Sequence, residues 1–461
     1  MITLDAYKEK TVAVMGLGAS GLATLKALRA GGATVLAWDD APERRATAAG
    51  LGASVQDLAA AGFGDAILLV LSPGIPLNHP APHPAVARAR RDGVPITGDV
   101  ALLRAAQGDA FFIAITGTNG KSTTTALAGH LLRQAGRPVQ VGGNLGRPAV
   151  DLDPLGAGGI YVLELSSYQL DLLDDPGFDV AVLLNISPDH LDRHGGLAGY
   201  IAAKRRIFEG RKFGDVAIVG ADDAHCRAIL DTLREDHERT VIAVSGCDAG
   251  PRRIFADASG RLIETTQGRE RAIADLSASL TLRGTHNRQN AAAAAAVART
   301  VGLSVKEVAA GLESFPGLAH RQELVARKGD LLFVNDSKAT NGAAAARALQ
   351  SYDSVFWILG GRAKADGLGE AIDHLAAVRH AYAIGEAGPD FAGRLKGRVP
   401  VTLSRDLATA LGDAERDASG DPQAGEKVIL LSPAAASFDQ FRNFEERGDC
   451  FRALVLGEAA A

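Results

Sequence analysis

The sequence predicts an α/β protein of three consecutive domains, and three observations predict it. Short Val/Ile/Leu runs alternate with Ala/Leu/Arg-rich stretches of helical period, the pattern of parallel sheets covered by helices on both faces. Two glycine-rich loops each follow such an apolar run and open a helical stretch. The chain has 461 residues, 47% of them hydrophobic, which at roughly 150 residues per domain corresponds to about three separate cores. Pattern breaks near Gly98 and at Pro316-Gly317 divide it into 1–98, 99–317 and 318–461.

In the first block, 11–15 reads as a strand, Gly16-Leu17-Gly18-Ala19-Ser20-Gly21 as a tight turn, the residues to about Gly31 as a helix and 34–39 as the next strand. The block closes near Gly98 after the proline-rich stretch 72–84. A second strand, loop and helix begin at 111–116, and further strands are expected at 160–165, 180–186, 216–219 and 241–244. The alanine-rich stretch 290–299 predicts a strong helix, because alanine loses the least side-chain entropy on becoming helical. The third block supplies strands at 331–335, 355–359, 381–384 and 428–431. Runs such as 67–71 and 428–431 fall far short of the roughly 20 apolar residues of a membrane span and read as buried strands.

Composition narrows the function. Lys plus Arg number 49 against 54 Asp plus Glu, a formal charge of −5, so no global basic field draws nucleic acid or anionic lipid, although local patches remain possible. The first ten residues lack the apolar stretch of a signal peptide. Cys226, Cys247 and Cys450 are widely spaced, which indicates neither a disulfide framework nor a zinc site and fits a reducing cytosol. No repeat of 20–50 residues is visible.

Gly16 to Gly21 fits the dinucleotide fingerprint of Rossmann-like domains, and Asp39 ends the next strand about 20 residues on. What the glycines supply is a tight turn and backbone N–H groups at a helix N-terminus. A nicotinamide or flavin site, a nucleotide-sugar site and a purely structural turn all stay open, the nucleotide-sugar site weighing most. Thr116-Gly117-Thr118-Asn119-Gly120-Lys121-Ser122-Thr123 is similar to a P-loop: small residues exposing N–H groups, a lysine for β/γ-phosphates and a hydroxyl for magnesium. Ile115 occupies the place of the motif's first glycine. Nucleoside triphosphate binding in the central block is the reading.

Glu164, at the end of a strand beside this loop, suits magnesium; capping of the following helix is the alternative. The loop from Asn185 to His194 crowds acids, His190, His194 and Arg193 at another strand end, where chemistry concentrates in such sheets. Gly284 to Asn290 precedes the alanine-rich helix, which Asn287 or Asn290 could simply cap. His320-Arg321 and Asn335-Asp336-Ser337-Lys338-Ala339-Thr340-Asn341 offer mixed donors and acceptors suited to carboxylates or phosphates.

With Tyr161 to Leu170, Leu431-Ser432-Pro433 and Ser437-Phe438-Asp439-Gln440-Phe441-Arg442-Asn443-Phe444, these segments resemble the Mur ligases, the ATP-dependent amide-forming enzymes of bacterial peptidoglycan synthesis, over essentially the whole chain. Within that family they resemble the D-glutamate-adding branch. The resemblance implies an N-terminal Rossmann-like domain for the uridine diphosphate of the substrate, a P-loop-type ATPase domain in the centre and a Rossmann-like C-terminal domain for the amino acid. The implied partners are UDP-N-acetylmuramoyl-L-alanine and D-glutamate, the cofactors ATP and Mg²⁺ at two sites, and the setting a cytoplasmic monomer.

The implied roles follow by position. Ser20, Asp39, Gly74 and Asn144 would bind the UDP substrate. Gly117, Thr118, Asn119, Gly120, Lys121, Ser122 and Thr123 would hold ATP, with Lys121 on the β/γ-phosphates. Ser122 or Thr123 and Glu164 would serve the first magnesium and His190 the second. Lys204 matches a lysine that the family carbamylates; from its own sequence context it is an ordinary helix-surface lysine. Asn287, Asn290, Arg321 and Asp336 would lie by ATP, and Lys338, Thr340, Lys364, Ser437 and Phe444 by D-glutamate. Two departures touch the amino-acid pocket: Phe438 stands where leucine is common, and Asp366 follows Lys364 one residue early.

Rival classes are separable. A nicotinamide oxidoreductase leaves Lys121 idle, a non-catalytic nucleotide switch would release no amino-acid-dependent phosphate, and folylpolyglutamate synthase leaves the first block without a job. Domain closure is expected, because residues implied around one ATP come from two blocks.

Overall fold

The computed structural model describes residues 1–210, 214–247, 253–277, 279, 281–363 and 367–458. The chain forms three sheets but divides into two compact units, one of residues 1–277 with 285–314 and the other of 278–284 with 315–461. The change of character near Gly98 separates two sheets without separating two cores. One apolar cluster contains Val12, Val14 and Leu25 together with Phe112, Tyr161 and Leu163, and Ile2 N donates to Val150 O at 3.0 Å.

The first sheet contains β1 (Thr11–Met15), β2 (Thr34–Trp38), β3 (Ser54–Val55), β4 (Leu69–Leu71) and β5 (Ile96–Thr97), all parallel, in the order β3-β2-β1-β4-β5. The order reverses at β1, so the loops after β1 and β4 flank the crevice where such sheets bind ligands. Of the apolar run 67–71 the strand proper covers only the last three residues, although Ile67 N still donates to Thr11 O at 3.0 Å; Ile67 is 46% exposed.

The second sheet contains β6 (Phe111–Thr116), β7 (Val139–Gly143), β8 (Ile160–Glu164), β9 (Val180–Leu183), β10 (Val216–Gly220), β11 (Thr240–Ser245), β12 (Ile254–Ala256), β13 (Arg261–Thr266) and β14 (Arg269–Asp275), in the order β14-β13-β12-β11-β10-β9-β6-β8-β7. From β7 to β12 it is parallel, and β13 and β14 add an antiparallel edge. That edge is not anticipated by the sequence reading. Its two-residue turn is Gln267-Gly268, both at positive φ, a hairpin geometry usually announced by Asn-Gly or Asp-Gly. The central strands β6, β8 and β9 deliver Gly117, Glu164 and Asn185 to one sheet end.

The helix expected over 290–299 starts five residues earlier, as Thr285–Thr300. Asn287 and Asn290 therefore lie inside it, buried, and neither caps it. Their side chains find partners across the helix surface instead: Asn290 Nδ2 donates to Asn287 Oδ1 at 3.0 Å.

The third sheet contains β15 (Glu323–Lys328), β16 (Leu331–Asn335), β17 (Val355–Gly360), β18 (Val378–Ile384), β19 (Val401–Leu403) and β20 (Lys427–Leu431), in the order β15-β16-β20-β17-β18-β19, parallel except for β15. Trp357 is fully buried in its core, and its indole Nε1 donates to Ser432 O at 2.7 Å. Trp357→Phe removes that donor and leaves a void, so it should lower unfolding free energy by about 1–3 kcal/mol in urea melts followed by circular dichroism; an unchanged midpoint would contradict the packing role.

Candidate active site

The phosphate-type loop is held open from outside. A loop that offers N–H groups to a ligand has few left for a backbone ladder: Thr118 N donates to Asn185 O at 2.9 Å, and side chains of other elements fix the rest. Gly117 and Gly120 have φ of +156° and +81°, and a Cβ at Gly120 would collide with Asn290 Oδ1. Thr124 Oγ1 donates to the same oxygen at 3.2 Å. Asn185, just beyond β9, brackets Asn119: Asn119 N donates to its Oδ1 at 2.8 Å, and its Nδ2 donates to Asn119 O at 3.1 Å. Gln289 supports Asn185 and is itself anchored on Asp222 Oδ2. Lys121 opens the helix Lys121–Gln134, and its Nζ donates to Gly117 O at 3.0 Å and Thr118 O at 2.9 Å. Ser122 and Thr123 are buried in the first turn.

Glu164 ends β8 and is 2% exposed. Oε1 accepts from Asn144 Nδ2 at 2.8 Å, whereas Oε2 is buried without a hydrogen-bond partner. A buried carboxylate oxygen left unpaired is costly unless something cationic meets it. Helix capping, the alternative for Glu164, is done by Ser166 and Gln169 in a capping box. Asn144 thus stands against Glu164.

His190 sits at positive φ (50°), is half exposed and lies 5.1 Å from the Tyr168 ring. His194 is buried, and burial with nearby Lys204, His190, Arg193 and His79 pushes its imidazole down to about 4. Arg193 crosses to the first sheet, donating to Gly74 O at 3.0 Å, with its guanidinium 4.5 Å over Tyr168.

Lys204 is not a surface lysine. It lies in the helix Leu197–Arg205, is 1% exposed, and its Nζ donates to Gly117 O at 2.9 Å. Burial, reinforced by the charge of Lys121, pushes its ammonium down to about 7 against the pull of Asp189 and Glu164. Its helix is mostly small and apolar, which hides a buried lysine from sequence inspection.

In the first sheet, Asp39 ties its own loop to the glycine loop after β1. Oδ2 accepts from Leu17 N at 2.6 Å and Oδ1 from Ala41 N at 2.9 Å. Burial alone would raise this carboxyl, but the Ala41 and Leu17 N–H groups and Arg44 hold it below the usual range. Ser72 Oγ donates to Gly16 O at 2.7 Å, tying the loops after β1 and β4 together beside Gly74. Ser20 lies on the first turn of the helix Ala19–Ala30, beside Asp99.

In the other unit, Asp336 follows β16 and is buried. It accepts from Ser432 Oγ at 2.8 Å and Gln322 N at 3.1 Å, yet burial pushes its carboxyl up to about 7 against these donors and Arg321. Arg447 is fully buried. It donates to Ser337 Oγ at 2.9 Å, Ser337 O at 2.8 Å, Ala435 O at 3.1 Å and Gly360 O at 3.4 Å. It thereby joins the loops after β16, β17 and β20, on which Lys338, Thr340 and Ser437 sit. Lys338 Nζ lies 5.2 Å over the Phe444 ring, and Ser337 Oγ donates to Phe444 O at 2.8 Å. Phe438 is 63% exposed. Lys364 and Asp366 lie outside the described residues.

Residues 10–98 match the family profile of the Mur ligase MurD-like N-terminal domain, and residues 115–298 that of the Mur ligase middle domain. A UDP-N-acetylmuramoylalanine--D-glutamate ligase of Caulobacter sp. (strain K31) is 49% identical over 469 aligned residues, which cover 100% of this chain and 99% of that protein. The chain belongs to the Mur ligase family. A Mur ligase of the same name from Rhodospirillum rubrum is 50% identical over 460 residues, covering 99% of this chain and 96% of its own.

Among solved structures, the UDP-N-acetylmuramate-alanine ligase MurC of Thermotoga maritima superposes with a TM-score of 0.57 at 17% identity, covering 97% of this chain and 99% of that one. A UDP-N-acetylmuramoyl-L-alanyl-D-glutamate--2,6-diaminopimelate ligase gives 0.56 at 21%, covering 87% and 86%. At those identities the likeness shows the shared three-domain α/β Mur ligase fold.

Mur ligases depend on ATP and generally require magnesium. The residues present suit both: open N–H groups and Lys121 for phosphates, and the unpaired Glu164 Oε2 for a cation. Among the described residues no three His, Cys, Asp or Glu side chains converge as a preformed metal cluster. No helix among the described residues is long and apolar enough to cross a membrane.

Sequence reasoning passed over Asn185 as an individual residue, Gln289 and Arg447. For Asn185 a signal existed, an amide directly after a central strand; for Arg447, inside a polar helix, there was none. Asp336 yields a pH prediction. Its folded pKa lies above the unfolded value of 3.8, so its contribution is complete below about pH 4 and is lost as pH rises towards 7. The stability of Asp336→Asn should therefore fall less than wild type between pH 4 and 7 in denaturant melts; parallel profiles would exclude a raised pKa.

Proposed function

We propose that this chain is the ATP-dependent ligase that joins D-glutamate to UDP-N-acetylmuramoyl-L-alanine in bacterial peptidoglycan precursor synthesis, releasing ADP and phosphate. Identity of 49% over the whole chain to relatives named for that reaction carries the reading, and the phosphate loop beside an unpaired Glu164 oxygen supports its chemistry. The assigned division of labour is 1–98 for the UDP substrate, 99–317 for ATP and 318–461 for the amino acid, in a cytoplasmic monomer.

A carboxylate does not acylate an amine at neutral pH because oxide is too poor a leaving group. In the proposed sequence a substrate carboxylate oxygen bonds the γ-phosphorus of ATP and the bond to ADP breaks. The D-glutamate nitrogen then attacks the acyl carbon, and phosphate departs from the tetrahedral intermediate while the nitrogen loses its proton. Such chemistry is mostly positioning and charge neutralisation.

The loop residues Gly117, Thr118, Asn119, Gly120, Lys121, Ser122 and Thr123 are assigned to hold the phosphates; Asn185 engages the Thr118 and Asn119 N–H groups, which leaves the cradle to the N–H groups from Gly120 onward. Lys121 would exchange its two carbonyl acceptors for the β/γ-phosphates. Asn287 and Asn290, on the helix that abuts Gly120, are assigned to ATP, as are Arg321 and Asp336. Bound magnesium would supply further neutralisation of phosphate charge. Ser122 or Thr123 and Glu164 are assigned to one ion, His190 and Lys204 to a second. The Lys204 amine, kept near neutrality by burial, would add to CO₂ and lose a proton, and the resulting carbamate carboxylate would help place that second ion. Ser20, Asp39, Gly74 and Asn144 are assigned to the UDP substrate, and Lys338, Thr340, Lys364, Ser437 and Phe444 to D-glutamate.

Purified protein with Mg-ATP and UDP-N-acetylmuramoyl-L-alanine should release phosphate when D-glutamate is added, and only background with L-glutamate, L-alanine or diaminopimelate. Turnover with one of those instead would reassign the chain within the family. Lys204→Ala should lose roughly 10–100-fold or more in kcat, on the scale of removing metal-supporting groups, and regain part of it with a small carboxylic acid. Full activity without rescue would remove the carbamate.

A further inference from the structure

Three residues that the reaction scheme leaves unused form a contiguous polar chain. Ser167 Oγ lies 2.9 Å from His194 Nε2, and His194 Nδ1 lies 3.2 Å from Asp171 Oδ2. The arrangement is that of a serine-hydrolase triad, but Ser167 and His194 are 3% and 6% exposed. No substrate carbonyl reaches the hydroxyl, so hydrolysis is excluded and a positioning role is left.

What the chain joins is specific. Ser167 and Asp171 bound a short helix that begins three residues after Glu164, with its start fixed by the Ser166–Gln169 capping box. His194 lies four residues after His190, on a segment that enters from β9 rather than β8. Tyr168 reinforces the same junction: its ring stacks on His194 at 5.6 Å and contacts His190 at 5.1 Å. Tyr200, whose hydroxyl is 3.0 Å from Thr118 Oγ1 of the phosphate loop, packs on the other side of His194 with centroids 5.5 Å apart.

We infer that Ser167, His194 and Asp171 are positioning residues, a latch that fixes the loop bearing His190 against the segment bearing Glu164 and so sets the spacing of the two side chains assigned to magnesium. This rests on the metal roles given above to Glu164 and His190. Outer groups that orient metal-binding side chains typically matter 10–100-fold in metal affinity.

The test measures metal binding without turnover: titration of Mn²⁺ by electron paramagnetic resonance on the full chain with a non-hydrolysable ATP analogue. His194→Phe keeps a ring for Tyr168 but deletes both the hydrogen bond to Ser167 and the contact with Asp171, and Ser167→Ala deletes the hydrogen bond alone. Both should weaken Mn²⁺ binding by about 5–50-fold, Ser167→Thr should restore it, and the KM for D-glutamate should stay within about twofold. Wild-type Mn²⁺ affinity in both variants overturns the latch, whatever their melting temperatures. Loss in Ser167→Ala that Ser167→Thr does not restore also overturns it in favour of simple packing. If His194→Phe does not fold, the two Ser167 variants decide. Glu164→Gln in the same titration separates the premises: unchanged binding there removes the metal reading itself, whereas loss there beside intact latch variants removes only the latch.

Discussion

Everything at the centre of this molecule follows from one constraint: a loop that presents its own backbone N–H groups must be held in shape by something other than its own backbone. Asn185 brackets Asn119 with a donor and an acceptor, Asn290 fills the space that a side chain at Gly120 would need, and Lys204 bonds Gly117 O from beneath. Each clamp comes from a different element, so the loop geometry depends on the packing of β9, the helix Thr285–Thr300 and the helix Leu197–Arg205 around β6. The alanine run in Thr285–Thr300 has a direct use here, since eight consecutive fully buried small residues, Ala291 to Ala298 with one valine, let that helix press closely on the sheet.

The same constraint explains the buried polar groups. Lys204, Glu164 and Asp336 occupy places where burial opposes charge, and each is displaced in the expected direction or left with an unpaired atom. Arg447 differs. It is buried among carbonyl and hydroxyl oxygens without a carboxylate in its hydrogen-bond set, and it substitutes for a backbone ladder where three strand-end loops meet. Such groups often reduce stability compared with apolar packing; Glu164 and Asp336 sit at strand ends, and Lys204 and Arg447 reach strand-end loops from helices.

Much of this was legible in the sequence. The strand at 331–335 and those around 355–359 and 428–431 lie where apolar runs put them, because a strand buried on both faces has no alternation to misread. The two glycine loops sit at helix starts, as their composition requires. The illegible parts had physical causes. The hairpin of β13 and β14 is an edge feature with six exposed or half-exposed residues in β14 and an unusual turn pair. The start of Thr285–Thr300 was obscured by polar residues that look like a cap. The burial of Lys204 depends on tertiary packing that no local pattern encodes, and the run 67–71 overstated a strand because Ile67 faces outward. The pairing of Ser167 with His194 spans two strand ends and has no sequence period at all.

The self-contacts of the phosphate loop carry a further consequence. Lys121 and Lys204 both donate to Gly117 O, so two lysine nitrogens converge on one carbonyl. An anion that takes Lys121 must replace the bonds to Gly117 O and Thr118 O, so part of what that contact gains is offset by what the loop gives up.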